Sequence, residues 1–240
     1  MQDKLFKVLL ILSAIVIPVI GGGIIYSLTV DASGAFEEFG FWNFIFSDDW
    51  VTTAGKESYG ALPFITGTLL TTALALLMCI PFSLPVALFT GEYFRGKKIA
   101  AVLGTVIDLL AGIPSIIYGL FGMLFFNIAL HWRYSMLSGA ATLAIMVLPT
   151  IMRTTEEALL CVPDSYREGS FGLGAGKLRT IFKIVLPAAI PGILSGIILS
   201  IGRIVGETAA LIYTAGTVTG VAGLMDSGRT LAIHMYVLSN

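Results

Sequence analysis

Five stretches of at least 19 residues carry no Asp, Glu, Lys or Arg: residues 8–30, 58–91, 109–130, 134–152 and 184–202. A helix that crosses a bilayer needs about 20 mostly apolar residues. The chain of 240 residues is 56% hydrophobic and 12% charged, against about 25% charged in a soluble domain. That leaves too little polar surface to cover a water-soluble globule. A cytosolic enzyme, a disordered chain and a secreted disulfide scaffold are excluded. The expectation is an all-α integral membrane protein with five spanning helices. A net charge of −1 offers no basic field for nucleic acid. Cys79, in an apolar run, and Cys161, in a polar loop, are read as unpaired.

The charges between the runs set an orientation. Lys4 and Lys7 precede the first run. The next loop, residues 31–63, holds Asp31, Glu37, Glu38, Asp48, Asp49 and Glu57 against Lys56 alone. Arg95, Lys97 and Lys98 follow the second run. His131 and Arg133 follow the third, and Arg153, Arg167, Lys177, Arg179 and Lys183 follow the fourth. Basic residues thus alternate rich and poor, which places the N-terminus inside by the positive-inside rule. The first run is too long for a cleaved signal, and Gly21-Gly22-Gly23 is a poor cleavage site. The first outer loop is rich in aromatics, from Phe36 to Trp50. It reads either as an interfacial belt or as a docking surface for an external partner. Residues 1–57 form an N-terminal helix and outer loop, and residues 58–240 the main membrane domain. His131 and His234 are expected at solvated outer ends.

The loop at residues 153–187 is the most informative. Ser165-Tyr166-Arg167-Glu168 has capping-box spacing, which predicts a helix start at Ser165. Gly172, Gly174 and Gly176 then break the helix. In a second helix Leu178, Ile181, Phe182 and Val185 make one apolar stripe, outside which lie Lys177, Arg179 and Lys183. Pro187 and Pro191 mark the passage into the membrane. Two short helices joined at a glycine corner follow, and periodicity alone also admits an amphipathic hairpin lying on anionic lipid.

The spacing resembles a known motif. Glu168-Gly169-Ser170, three residues, Gly174, nine residues, Ile184, one residue and Leu186-Pro187 resemble the E-A-A, x3, G, x9, I-x-L-P motif of ABC importer permeases. Gly169 and Ser170 stand where the motif has alanines. From about Gly60 onward the chain also resembles permeases of the phosphate-specific Pst importer. The resemblance rests on Gly60-Ala61-Leu62-Pro63-Phe64-Ile65 and Gly112-Ile113-Pro114-Ser115-Ile116-Ile117-Tyr118-Gly119. Further matches are Arg153-Thr154-Thr155-Glu156-Glu157, Val162-Pro163-Asp164-Ser165 and Gly206-Glu207-Thr208-Ala209. The earliest motif leans to the PstC sister and the later ones to PstA, which is the assignment expected. The resemblance implies a MetI-like bundle of the type I ABC importers in a bacterial or archaeal cytoplasmic membrane. It also implies separate ATPase subunits, a sister permease and an external phosphate-binding protein. Glu168, Gly174, Ile184, Leu186 and Pro187 would then form the contact that couples the chain to the ATPase.

Asp108, Arg203 and Glu207 interrupt or follow apolar runs, and a charge at membrane depth is a functional candidate. Arg203 and Glu207, four residues apart, are expected on one helix face. A helix entering near Ile193 would place Arg203 ~15 Å deep, about the midplane. Gly192, Gly196, Gly202 and Gly206 thin the same helix. Arg203 offers a planar fork of donors matched to phosphate oxygens. Glu207 is suited to accept from a protonated phosphate oxygen, which sulfate lacks near neutral pH. A structural Arg203–Glu207 ion pair is the competing reading. Asp108 is expected either in the pathway or paired with a basic residue, and Ser115, at the Gly112–Pro114 break, is a candidate to face the pathway.

No Walker A loop is present, so ATP hydrolysis is expected on another subunit; no cofactor and no metal site is expected. A permease for another oxyanion or polar solute shares the loop motif. An ion-coupled secondary transporter would show internal repeats, and none is visible. Residues 230–240 would make at most ~16 Å of helix, half a bilayer. The sixth helix of similar permeases is therefore expected to be missing. Ile233, Met235 and Tyr236 are expected on a re-entrant or outer-surface helix, against lipid or protein.

Overall fold

The computed structural model describes residues 2–52 and 58–239. They fall into two compact units, residues 1–62 and 63–240. In the first, helix α1 (Gln2–Phe39) runs for 38 residues. It overshoots the apolar run because Glu37 and Glu38 are good helix formers and lie exposed. No residue in its apolar window is buried. A helix apolar all round is suited to a lipid or protein environment rather than water. Gly40, at φ 79°, turns the chain into α2 (Phe41–Phe46). A short antiparallel pair follows, β1 (Trp50–Val51) with β2 (Ser58–Tyr59), in which Trp50 faces Tyr59. Phe36 meets Phe41 and Phe44 edge-on, and Phe39 and Trp50 both meet Tyr59. Trp42 and Phe46 stack on each other and stay exposed. Lys56 and Glu57 lie outside the described residues.

The second unit is built on α6 (Met136–Leu160), 72% of whose apolar window is buried, against 28% for each of two other long helices. Ser135 caps α6 by accepting from the Ser138 N–H at 3.2 Å. Met136, Leu143, Met146, Val147 and Ile151 line its buried side. Around it pack α3 (Leu62–Leu88), α4 (Lys98–Ala111) and α5 (Ser115–Gly122). Beyond the loop described below come α9 (Leu186–Val205), α10 (Ala209–Thr214) and α11 (Leu231–Ser239). One π-helical segment, Phe89–Tyr93, extends α3, and another, Met123–Ala129, extends α5.

Among the described residues four helices are long and apolar enough to cross a membrane, or up to five if the bent α4–α5 pair is one span. The third span differs in detail from the one read at residues 109–130. The chain turns by 91° between Ala111 and Ser115, because Pro114 disfavours helical torsions in the residue before it. Asp108 therefore sits on α4, before the turn. The fifth span ends before Glu207, since α9 stops at Val205 and α10 begins at Ala209.

Two of the four glycines in the fifth span make close contacts. A Cβ on Gly196 would lie 2.0 Å from the Thr154 hydroxyl, and one on Gly192 2.6 Å from the Ala158 Cβ. These two let α9 seat against α6 as small residues do in membrane helix pairs. A Cβ on Gly202 meets nothing, and one on Gly206 meets only the carbonyl of Gly202. His234 is buried rather than solvated: its ring stacks on Phe64 at 3.6 Å, while His131 is exposed. In α11, Ile233 is fully buried and Met235 and Tyr236 are exposed.

Candidate functional site

The loop after α6 folds as two short helices, α7 (Asp164–Gly172) and α8 (Lys177–Thr180), with a π-helical segment, Ile181–Val185, leading into α9. The capping box does not form. Helix α7 begins at Asp164 with Pro163 as its cap and no side-chain capping bond, because Asp164 is drawn into ion pairs with Arg95 and Arg167. Of the three glycines, Gly174 alone has positive φ, +80°. The Ser170 and Thr180 hydroxyls, 2.8 Å apart and buried, tie the two helices across this corner. Only half of the apolar stripe turns inward: Ile181 and Val185 are buried, whereas Leu178 and Phe182 are more than half exposed. With Leu173, 91% exposed, they present an apolar surface of the kind that marks an interaction site. Glu168 and Pro187 are exposed; Ile184 and Leu186 are half-buried.

Arg167 anchors this loop. Its guanidinium is buried and all five of its N–H donors are used. Nε and Nη2 donate to the Glu92 carboxylate, Nη2 also to Leu159 O at 2.8 Å, and Nη1 to Val162 O at 2.6 Å and Asp164 at 3.0 Å. Glu92 is buried in the π-helical end of α3. The carboxylate beside it raises the pKa of Arg167 still further. The hydrogen bond from Arg95 holds Asp164 below the ordinary carboxylate range. Glu92 and Arg167 were not singled out as a pair in the sequence. Glu92 stands among aromatic and basic residues that read as an ordinary loop, 75 positions from its partner.

A second cluster gathers around Arg153. Its Nε donates to Asp108 at 2.7 Å, Nη2 donates to the other Asp108 oxygen, and Nη1 donates to Glu156 at 2.9 Å. The Thr90 hydroxyl completes the buried Glu156 carboxylate. Asp108 is thus paired, and the cluster ties α3, α4 and α6 together.

Arg203 is different. It is half-buried near the end of α9, and its recorded hydrogen bond is from Nη1 to the Thr150 hydroxyl at 3.3 Å. Among the described residues no carboxylate lies within 4.0 Å of it. The shared helix face expected for Arg203 and Glu207 does not exist, because α9 ends between them. Glu207 instead accepts from the Ala210 N–H at 3.2 Å, at the start of α10. Ser115 is half-buried in the first turn of α5. The structure therefore separates Arg167, with every donor used, and the acid-paired Arg153 from Arg203, most of whose donors make no bond to the described residues.

Comparison with known proteins agrees with this architecture. The PstA 1 phosphate transport permease of Mycobacterium tuberculosis is 40% identical over 157 residues, covering 65% of this chain and 51% of that protein. The PstC phosphate transport permease of Mesorhizobium japonicum is 30% identical over 241 residues, covering 90% of this chain and 72% of that one. The chain spans between half and three-fifths of the length of several curated relatives it matches. Among solved structures, a chain of the inward-facing MetNI methionine ABC transporter shares the fold, with a TM-score of 0.56 at 22% identity, covering 74% of this chain and 87% of that one. Residues 83–234 match the binding-protein-dependent transport system inner membrane component, and the chain belongs to that family of multi-pass inner-membrane permeases.

Proposed function

We propose that the chain forms part of the membrane pathway of an ATP-driven importer of inorganic phosphate. Separate ATPase subunits supply the energy, a sister permease completes the pathway and an external binding protein delivers the solute. The observation that carries this reading is Arg203: a permanent cation at the end of a long apolar helix, with donors left over and no carboxylate beside it. A guanidinium fork suits phosphate oxygens, and relatives named as phosphate permeases point to the same anion. Glu207 and Ser115 complete the proposed pathway set, with Glu207 selecting a protonated oxyanion. Asp108 contributes through Arg153, by fixing α4 against α6.

The exposed apolar surface around Leu173, Leu178 and Phe182, with Glu168 and Gly174, is assigned to ATPase docking, and Ile184, Leu186 and Pro187 to carrying that contact into α9. On this reading the loop and the N-terminus lie on the cytoplasmic side, which the rich–poor alternation of basic residues supports. The test is uptake of labelled phosphate into vesicles containing the chain and its partner subunits, competed with sulfate and with arsenate. Competition by arsenate alone supports the reading. Equal competition by sulfate favours a broader oxyanion permease, and uptake without ATP rejects the ATP-driven mechanism.

A further inference from the structure

Three cations near the coupling loop are left out of the arginine clusters. Lys97, Lys177 and Arg179 are exposed and line one cavity of about 480 Å³ with Tyr93, Gly176 and Leu178. Among the described residues no carboxylate lies within 4.0 Å of any of the three, whereas Arg95, Arg153 and Arg167 are all paired. Aromatic rings hold two of them in place: Lys97 Nζ lies 4.8 Å from the Phe94 ring centre and Lys177 Nζ 5.0 Å from that of Tyr93. Lys177 also donates to Tyr93 O at 3.0 Å. Three like charges around one hollow repel each other and favour an anionic occupant.

An apolar track leads into this hollow. Phe82, Val86, Phe89 and Tyr93 follow a helical repeat along α3 and its π-helical end, and all are exposed. The rings of Phe89 and Tyr93 stack at 5.6 Å. From Phe82 to Tyr93 the helix rises about 16 Å, close to half of a ~30 Å hydrocarbon core. That is the depth of one leaflet. A free anion or an acidic peptide would use the cations but has no use for the track. Basic pockets at the membrane surface bind lipid headgroups by the same chemistry.

We propose that Lys97, Lys177 and Arg179 hold the headgroup of an anionic phospholipid whose acyl chain lies along Phe82, Val86 and Phe89. The site is independent of what the chain transports. The full chain in detergent, titrated with phosphatidylglycerol or phosphatidylcholine and read by native mass spectrometry, tests it. Phosphatidylglycerol should be retained at least tenfold more than phosphatidylcholine. K97Q/R179Q should abolish that preference, and Phe82→Gln should weaken retention of phosphatidylglycerol several-fold. Lys98→Gln, one residue outside the cavity lining, should change nothing. Equal retention of the two lipids would overturn the proposal, as would an equal loss in Lys98→Gln, which would indicate a diffuse surface charge. Displacement of the lipid by millimolar inorganic phosphate would reassign the cavity to a free anion. Displacement by added ATPase subunits would reassign it to the docking surface.

Discussion

Arg167 and Arg203 are the same side chain in opposite circumstances. Arg167 is buried, faces a buried carboxylate and spends every donor on its own chain. Arg203 is half-buried, touches one hydroxyl at 3.3 Å and, among the described residues, has no carboxylate within 4.0 Å. A saturated guanidinium fixes structure, because any new ligand would have to displace an existing bond. An open one has bonds still to make. On the proposed reading, binding chemistry would reside in Arg203, and mechanical continuity in Arg167.

The comparison breaks most visibly at Arg167. Arg167→Met removes the cation and strands the buried Glu92, and loss of one partner of a buried pair costs about 3–5 kcal/mol. Thermal unfolding of the purified chain should show this, and E92Q/R167M should recover part of it by removing the stranded charge. Arg203→Gln should leave the unfolding temperature within the range of surface changes, about 0.5 kcal/mol. Phosphate uptake by the assembled importer should nonetheless fall more than tenfold, and Arg203→Lys should fall short of wild type because it lacks the fork. Normal uptake by Arg203→Gln would erase the distinction between the two arginines.

The packing of α9 sharpens the same contrast. Gly196→Val drives a side chain into Thr154 and should cost about 1–3 kcal/mol, whereas Gly202→Ala meets open space and should be neutral or stabilising by up to about 1 kcal/mol. At the loop, Gly174→Val has room for its side chain but not for its torsion, which costs roughly 1–2 kcal/mol. The variant should insert normally and lose ATPase binding in a pull-down assay. The smallest effect is expected at Asp164. Its lowered pKa means that the Arg95–Asp164 link contributes fully above the ordinary carboxylate value of 3.8 and is lost as the pH falls below it. Amide exchange in α7 should therefore quicken only in that acid range.

Much of the fold was legible because a membrane penalises charge so heavily. Uncharged runs mark where α1, α3, α6 and α9 lie, and the glycine corner at Gly174 follows from local composition. Features that depend on distant partners were not legible. The capping box at Ser165 lost to Asp164, whose two arginine partners come from α7 itself and from the segment after α3. Glu207 left the face of Arg203 because the helix stops at Val205 with Gly206 as its C-cap, a stop signal that in the sequence reads only as a thinning of the helix. His234 looked like a surface residue until the fold stacked it on Phe64. Periodicity describes one helix at a time, and the outcomes at Asp164 and His234 were decided between segments.

The position of Glu92 has a consequence for anyone recombining these proteins. The loop at residues 153–187 looks like a self-contained cassette, a contiguous stretch that ought to graft onto another permease. The principal anchor of its Arg167, however, is encoded 75 positions upstream, in the π-helical segment that extends α3. A transplanted loop would keep the Arg167–Asp164 contact but lose Glu92, the buried acid that takes two of the guanidinium's donors, so the smallest exchangeable module is a discontinuous one: the loop together with the end of α3.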